Sequence, residues 1–199
     1  MKILECHEIP KDIDLDDCHL EDYDVFTFDD GLYSQYLNVE KFLKFKKPMY
    51  FFISTGIVHS NNSEQIDQID QIEFVNCLTA HNNFFRNNDT RPYMTWKQIK
   101  ELSTLENVFI GGHTHFHPYL EKFSNIKRMQ IAKKEIDLML KTFSEHNIKI
   151  SSFCFPYNFD FFVYRKLLKN LEFFGPKRIP LFEEKYNEKI LSYYDFQKP

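Results

Sequence analysis

Apolar residues along this chain form short, nearly continuous runs separated by longer stretches with helical periodicity. The four clearest runs are Asp24–Phe28, Met49–Ile53, Val108–Ile110 and Ile150–Phe155. Runs of this kind are typical of strands that are covered on both faces of a sheet. Weaker patterns near Ile179–Phe182 and Ile190–Tyr194 predict two further short strands.

The stretches between these runs favour helices. The clearest helical pattern follows Ser124, a residue suited to an N-cap, and has an apolar face opposite a charged one. That apolar face consists of Met129, Ala132, Ile136, Met139, Leu140 and Phe143. A second helix is predicted at Phe161–Leu171. Because strands and helices alternate, the sequence predicts an α/β fold with a parallel sheet.

Residues 57–92 interrupt this alternation and are rich in Asn and Gln. They contain a tandem at Ile66–Gln71 that is too short to be a repeat fold. Ile66, Ile69 and Ile72 suggest a helix, whereas the stretch around His81–Asn88 is typical of a loop. We interpret 57–92 as an insertion that walls a substrate cleft, although a surface excursion fits the pattern equally well.

Composition limits the function classes. A chain of 199 residues is suited to a single domain over 1–199. The net charge of −4 provides no basic field for nucleic acid. No signal peptide and no run of about 18 apolar residues is visible, so we expect a cytoplasmic protein without a membrane span. The four cysteines show no C-x-x-C spacing, which favours free thiols.

Two polar clusters follow the apolar runs and carry candidate chemistry. Asp29 and Asp30 come directly after the first run, and His113 and His117 come shortly after the third. Asp-Asp-Gly alone is usually a solvated turn. Histidines four apart are more informative, because both rings can lie on one side of a helical turn and share an ion. Together the clusters supply metal ligands and a spare carboxylate, as a metal-dependent hydrolase requires.

These segments, taken in order, resemble the polysaccharide deacetylases of the NodB homology type, carbohydrate esterase family 4. Thr27–Gly31 (TFDDG) resembles the first family motif, His113–His117 (HTHFH) the second, and Phe153–Asn158 (FCFPYN) the third, which usually ends Pro-Tyr-Gly. Met49–Thr55 and Thr95–Leu102 resemble the family's second strand and the helix before the histidine motif. The resemblance covers about residues 24–160 and implies an irregular, incomplete (β/α) barrel.

The resemblance also implies a role for each residue. Asp30, His113 and His117 would bind one divalent metal, and Asp29 would act as the base. The backbone N–H of Tyr157 would hold the oxyanion. Zinc suits one carboxylate with two imidazoles, and cobalt, nickel and iron suit it too. The expected substrate is an acetylated sugar, and the expected compartment favours an intracellular precursor of surface polysaccharide.

The sequence departs from the family at two positions. Cys154 stands where the family often has an arginine that pairs with the base. No histidine follows His146, so the family's C-terminal general acid is missing, and neither Lys177–Ile179 nor Asp195 replaces an imidazole. We therefore expect Asp29 to return the proton that it takes. His59 and His81 are interpreted as surface histidines, and His115 is expected to point away from the metal.

Two other functions are compatible with these departures. The first is another metal-dependent amide hydrolase on the same scaffold, acting for example on a ureide or formamide. The second is a sugar-binding or assembly protein with a relic site.

Overall fold

The computed structural model describes residues 1–10, 13, 15, 18–60, 75–181 and 194. Within this part of the chain, seven strands form one sheet: β1 Ile3–Cys6, β2 Val25–Phe28, β3 Met49–Ile53, β4 Val108–Gly112, β5 Ser152–Cys154, β6 Glu172–Phe174 and β7 Ile179–Pro180. The helices are α1 Tyr33–Leu43, α2 Cys77–Asn87, α3 Trp96–Leu102, α4 Asn125–Glu145 and α5 Phe162–Leu167, with short 3₁₀ turns at Leu20–Asp22, Leu120–Lys122 and Pro156–Asn158.

The sheet is parallel and is curled into a half-barrel. Its strand order is β6-β5-β4-β3-β2-β1-β7, and each neighbouring pair runs in the same direction. The predicted fold class, an incomplete α/β barrel of the NodB-type deacetylase kind, is confirmed. Because β7 pairs with β1, the last strand of the described residues lies beside the first.

The apolar runs predicted four of the strands, with β3 at its observed bounds and β2, β4 and β5 within two residues at each end. The strand expected near Ile179–Phe182 is present as β7. The short strands β1 and β6 were not predicted. The strand expected at Ile190–Tyr194 lies outside the described residues except for Tyr194.

The helix predicted after Ser124 is α4, which begins at the expected residue. Its buried face comprises Ile131, Ala132, Glu135, Ile136, Met139 and Phe143. Met129 and Leu140, which we expected on this face, are exposed by 41% and 40%, so the prediction was wrong for these two residues. The helix predicted at Phe161–Leu171 is shorter than expected and ends at Leu167 as α5.

Helix α2 lies in the region 57–92, where we had expected a loop around His81–Asn88, and that expectation was wrong. The Asn76 side chain caps its start by accepting a hydrogen bond from the backbone N–H of Thr79 at 2.8 Å. Its apolar face belongs to a second small core, formed by Leu32, Ile57, Cys77, Ala80, Phe84, Phe85 and Tyr93. The tandem at Ile66–Gln71 lies outside the described residues, and the insertion itself stays a prediction.

Strand β4 ends in two glycines that let other elements approach the site closely. A Cβ atom at Gly112 would lie 2.5 Å from the Met139 sulfur of α4. Any larger residue would therefore displace the Met139 side chain from its position beside the end of β4, directly before His113. Among the described residues, no helix combines the length and apolar content needed to cross a membrane.

Candidate metal and catalytic site

The polar residues after several strands meet at one end of the sheet, as expected for the carboxyl ends of parallel strands. They line a cavity of about 410 Å³. Its walls are formed by Glu5, His7, Asp29, Asp30, Cys77, Leu78, His81, His113, His117, Tyr157, Asn158, Arg178 and Pro180. All five residues that the sequence analysis assigned to the site are in this set.

The turn after β2 separates the two neighbouring carboxylates. Asp30 and Gly31 both have left-handed backbone conformations, with φ of 73° and 79°. The conformation at Gly31 is one that glycine adopts without strain. Asp29 and Asp30 are each only 1% exposed. As a result, Asp29 faces Arg178 and Asp30 faces the histidines.

Asp30, His113 and His117 form a compact group of donor atoms. Asp30 Oδ1 lies 3.4 Å from His113 Nε2 and 3.3 Å from His117 Nε2, and these nitrogens are 3.0 Å apart. Bonds of about 2.0–2.1 Å to a tetrahedral metal place neighbouring donors about 3.3–3.4 Å apart. The spacing of these three side chains therefore fits one divalent ion.

The backbone of the histidine motif differs from our expectation of a helical turn. Residues 113–118 form a loop in which Thr114 and His117 have φ of 68° and 47°. His113 Nδ1 donates to the carbonyl oxygen of Cys154 at 2.9 Å, so the lone pair of Nε2 faces Asp30. The rings of His113 and His117 are adjacent as expected, but it is the loop, and not a helical turn, that brings them together.

Glu135 of α4 binds the backbone of this loop. The sequence analysis did not assign it to the site. Its Oε2 accepts hydrogen bonds from the backbone N–H groups of His115 at 2.8 Å and Phe116 at 2.6 Å. Its Oε1 accepts one from the Tyr194 hydroxyl at 2.6 Å. Burial raises the pKa of Glu135, and these hydrogen bonds oppose that rise. An acidic residue within the apolar face of α4 was the signal that could have revealed it.

Burial and mutual charge set the protonation states of the metal-binding candidates. Burial by itself raises the pKa of Asp30, but the surrounding histidines outweigh it and hold the pKa well below its usual range. Burial lowers the pKa of His113, and it lowers that of His117 still further. Near neutral pH this leaves a charged carboxylate and two neutral imidazoles, the states that bind divalent ions.

Asp29 is paired with Arg178, which the sequence analysis did not assign to the site. Arg178 Nη1 donates to Asp29 Oδ1 at 2.7 Å, and Nη2 lies 2.6 Å from Glu5 Oε1. Burial raises the pKa of Asp29, but Arg178 and then His113 outweigh it and lower that pKa to about 2. Arg178 thus supplies the cation that the sequence lacks at Cys154. No local spacing could reveal this contact, because it joins residues 149 positions apart.

The third motif contributes Tyr157 and Asn158 to the cavity. Both residues have left-handed backbone conformations, with φ of 54° and 55°. Asparagine tolerates this conformation better than most residues, which explains how it replaces the family's glycine. The Asn158 side-chain oxygen accepts a hydrogen bond from Arg178 Nη2 at 3.0 Å. The ring of Tyr157 lies 4.5 Å from that of His117.

His7 follows β1 and is an imidazole of the cavity that the sequence analysis overlooked. Its Nε2 lies 4.0 Å from Asp29 Oδ2 and 3.9 Å from Asp30 Oδ2. The side chain is 17% exposed, so it borders both the carboxylates and the open cavity. The sequence analysis assigned the return of the proton to Asp29 and gave this N-terminal histidine no role in the reaction.

The structure separates the three remaining candidate histidines. His81, which we had interpreted as a surface residue, is 3% exposed and lies in the cavity wall, so that interpretation was wrong. His115 is half-buried and hydrogen-bonded to the Thr55 hydroxyl, outside the cavity, as expected for a ring that points away. His59 is half-buried and bonded to the Thr90 hydroxyl.

Solved structures of deacetylases share this fold. The BpsB deacetylase domain from Bordetella bronchiseptica aligns with a TM-score of 0.57 and 14% identity, covering 90% of this chain and 93% of that one. IcaB from Ammonifex degensii aligns at 0.56 and 19%, covering 86% and 80%. The Streptococcus pyogenes deacetylase PplD, in complex with acetate, aligns at 0.55 and 14%, covering 85% and 79%.

The resemblance to polysaccharide deacetylases is therefore confirmed at the level of the fold. No protein-family model matches the chain, and no curated protein matches it in sequence.

Proposed function

We propose that this protein is a metal-dependent hydrolase that removes an N-acetyl group from a sugar. The observation that carries the proposal is the division of labour between two adjacent carboxylates. Asp30 faces His113 and His117 at metal-donor spacing, while Asp29 is turned toward Arg178. The fold shared with deacetylases supports the same activity.

Each side chain has a separate task in this reaction. A divalent ion held by Asp30, His113 and His117 would activate water and polarise the acetyl carbonyl. Asp29, kept charged by Arg178, would accept the proton of that water. The backbone N–H of Tyr157 would stabilise the negative charge that develops on the carbonyl oxygen.

His7 is our candidate for the proton donor to the leaving nitrogen. Its ring borders the cavity near both aspartates, and the sequence has no histidine after His146. This replaces our expectation that Asp29 returns the proton itself.

A change of leaving group tests this role. His7→Gln should lower turnover of an N-acetyl sugar by about 100-fold or more. It should leave hydrolysis of 4-nitrophenyl acetate within a few-fold of wild type, because a phenolate leaves without a proton. His115→Gln is the matched control. If His7→Gln turns over both substrates normally, Asp29 returns the proton.

The overall proposal is tested by acetate release from metal-reconstituted protein. The panel should contain nucleotide-activated, lipid-linked and polymeric acetamido sugars together with formamides and ureides. Release of acetate from an acetamido sugar is expected. Turnover of only a formamide or ureide would support the other amide hydrolase, and metal binding without any turnover would support a sugar-binding relic.

The metal ligands are tested separately by elemental analysis of purified variants. Asp30→Ala and His113→Ala should each lose the bound ion, because a donor at the centre of the group is removed. His115→Gln should retain it. Full metal content in both alanine variants would contradict the ligand assignment.

A further inference from the structure

Helix α2 brings a third imidazole to the carboxylate that faces His113 and His117. His81 Nε2 lies 3.6 Å from Asp30 Oδ1, the same oxygen that His113 and His117 approach at 3.4 and 3.3 Å. The His81 side chain is only 4% exposed. Neither His81 Nε2 nor Asp30 Oδ1 has a hydrogen-bond partner among the described residues. Three imidazole nitrogens thus converge on one carboxylate oxygen.

The orientation of His81 presents a lone pair to this group. Its Nδ1 lies 3.0 Å from the carbonyl oxygen of Cys77, one helical turn earlier, and donates a hydrogen bond to it. In the neutral ring Nδ1 therefore carries the proton, and Nε2 has the available lone pair. His113 is oriented in the same way by the carbonyl oxygen of Cys154. A backbone carbonyl behind the ring is the usual support of a metal-binding histidine.

An ion pair alone does not account for the arrangement. The single negative charge of Asp30 can be balanced by one protonated imidazole. His113 Nε2 and His117 Nε2 can hydrogen-bond each other across 3.0 Å. His81 Nε2 and Asp30 Oδ1, 3.6 Å apart, both stay buried without a hydrogen bond among the described residues, which is costly away from water. A divalent cation between the four side chains satisfies the carboxylate and all three imidazoles together.

The spacing agrees with this interpretation. The donor atoms of Asp30, His81 and His117 all lie within 4.8 Å of one another. At bond lengths of about 2.0–2.1 Å, the 3.6 Å between His81 Nε2 and Asp30 Oδ1 corresponds to an angle of about 120° at the ion. The Cys77 thiol donates to Asp30 Oδ2 at 3.0 Å, which leaves Oδ1 for the imidazoles.

We propose that His81 is a fourth protein ligand, so that the centre holds its ion through one carboxylate and three imidazoles. This rests on the metal site of the proposed function. Four protein ligands around a tetrahedral zinc ion leave no open position, as in structural zinc sites. A substrate can then be bound only at a five- or six-coordinate ion, so the extra histidine favours cobalt, nickel or iron over tetrahedral zinc.

The number of imidazoles is measurable without any turnover assay. X-ray absorption of cobalt-loaded wild-type protein should fit three imidazoles, and the visible spectrum should show the weak bands of five- or six-coordinate cobalt. His81→Phe should fit two imidazoles. Phenylalanine keeps the ring contacts of His81 with Phe85 and Tyr93 but cannot bind a metal.

Affinity provides the second measurement. Cobalt should bind His81→Phe at least about 100-fold more weakly than wild type. Loss of a residue that only hydrogen-bonds to a metal ligand typically weakens metal binding by about 10–100-fold. The affinity of His59→Phe, the same substitution outside the cavity, should stay within about threefold of wild type, because His59 neither binds the ion nor supports one of its ligands. Urea unfolding of the metal-free proteins identifies a variant that does not fold, and His81→Ala then replaces it.

Two results would overturn the proposal. One is a wild-type spectrum that fits only two imidazoles, which needs no variant. The other is unchanged cobalt affinity in a folded His81 variant. Three imidazoles in a protein that releases no acetate would reject the deacetylase function and keep the His81 assignment. Turnover with two imidazoles would reject only His81.

Discussion

Replacing Arg178 by methionine tests how strongly the buried cation stabilises the acidic groups beside it. The Arg178 side chain is 1% exposed and contacts Asp29 Oδ1 at 2.7 Å and Glu5 Oε1 at 2.6 Å. Methionine has a similar length but leaves both carboxylates without this partner. Breaking a buried ion pair from one side typically lowers the free energy of unfolding by about 3–5 kcal/mol, and we expect a loss in this range.

The pKa of Asp29 provides a check on this magnitude. That pKa lies at about 2 instead of 3.8. The difference corresponds to about 2 kcal/mol in favour of the charged carboxylate in the folded state. Because burial alone would raise the pKa, the interactions with Arg178, His113 and His7 together must exceed this net value, and that with Arg178 is the largest of the three. The loss of the contact with Glu5 adds to it, which brings the total into the expected range.

The effect should depend on pH in a defined direction. A carboxyl group whose pKa is lowered by folding stabilises the protein above its unfolded pKa, here 3.8, and this stabilisation is lost as the pH falls toward about 2. In Arg178→Met the pKa of Asp29 should rise, because only His113 and His7 are then left to oppose the effect of burial. The difference in unfolding free energy between the two proteins should therefore be largest near pH 7 and shrink below about pH 4.

Urea denaturation in the presence of EDTA measures these quantities on the metal-free protein. Arg91→Met is a matched control, because Arg91 also lies 2.7 Å from an aspartate but is 74% exposed. This control should lose less than about 1 kcal/mol. The double variant with Asp29→Asn should lose less than the sum of the two single variants. A loss like that of Arg91→Met, or an equal loss at pH 3 and pH 7, would refute the argument.

Three further predictions follow from the site. Asp29→Asn should keep its metal by elemental analysis and lose turnover by about 10²–10⁴-fold, whereas near-normal acetate release would exclude Asp29 as the base. Glu135→Ala leaves two loop N–H groups unpaired and should cost about 1–3 kcal/mol for each in urea unfolding, and unchanged stability would show that Glu135 does not hold the loop. Gly112→Ala places a Cβ atom 2.5 Å from the Met139 sulfur and should cost about 1–3 kcal/mol, and a variant as stable as wild type would mean that the Met139 side chain adjusts without strain.

The parts of the fold that could be predicted from sequence are those fixed by local patterns. Strand β3 is a five-residue apolar run, and α4 follows a serine N-cap, so both could be located from neighbouring residues alone. Strand β6 has only three residues, of which one is exposed, one half-buried and one buried. So short a segment is not enough to show a periodic pattern of apolar residues. Met129 and Leu140 were misplaced because the width of a buried face depends on what packs against it.

Helix α2 was missed because its asparagines resemble those of a loop. The signal was present, since Cys77, His81, Phe84 and Phe85 recur at helical spacing after the cap at Asn76. His81 was consequently placed at the surface instead of beside Asp30. The asparagine-rich composition suggested a loop although the residue spacing favoured a helix. As a result, the sequence analysis did not identify His81 as the third imidazole near Asp30.

Contacts between distant segments could not be predicted in this way. Asp30, His113 and His117 were found because their motifs keep a recognisable order, although the loop that joins the two histidines was not anticipated. Arg178 and His7 belong to no such motif. His7 reaches the cavity because β1 pairs with β2, and Arg178 reaches it because β7 pairs with β1.

The pairing of β7 with β1 also bears on the order of events during folding. It spans almost the whole sequence and involves only two residue pairs, Leu4 with Ile179 and Glu5 with Pro180. Closing so large a loop for so few contacts is entropically unfavourable, so this edge should form after the transition state. Arg178→Met should then accelerate unfolding and leave the folding rate nearly unchanged, which corresponds to a φ-value near zero. Until that late step, Asp29 and Glu5 would keep their hydration, and the last strand to dock would bury their charges together with the arginine that balances them.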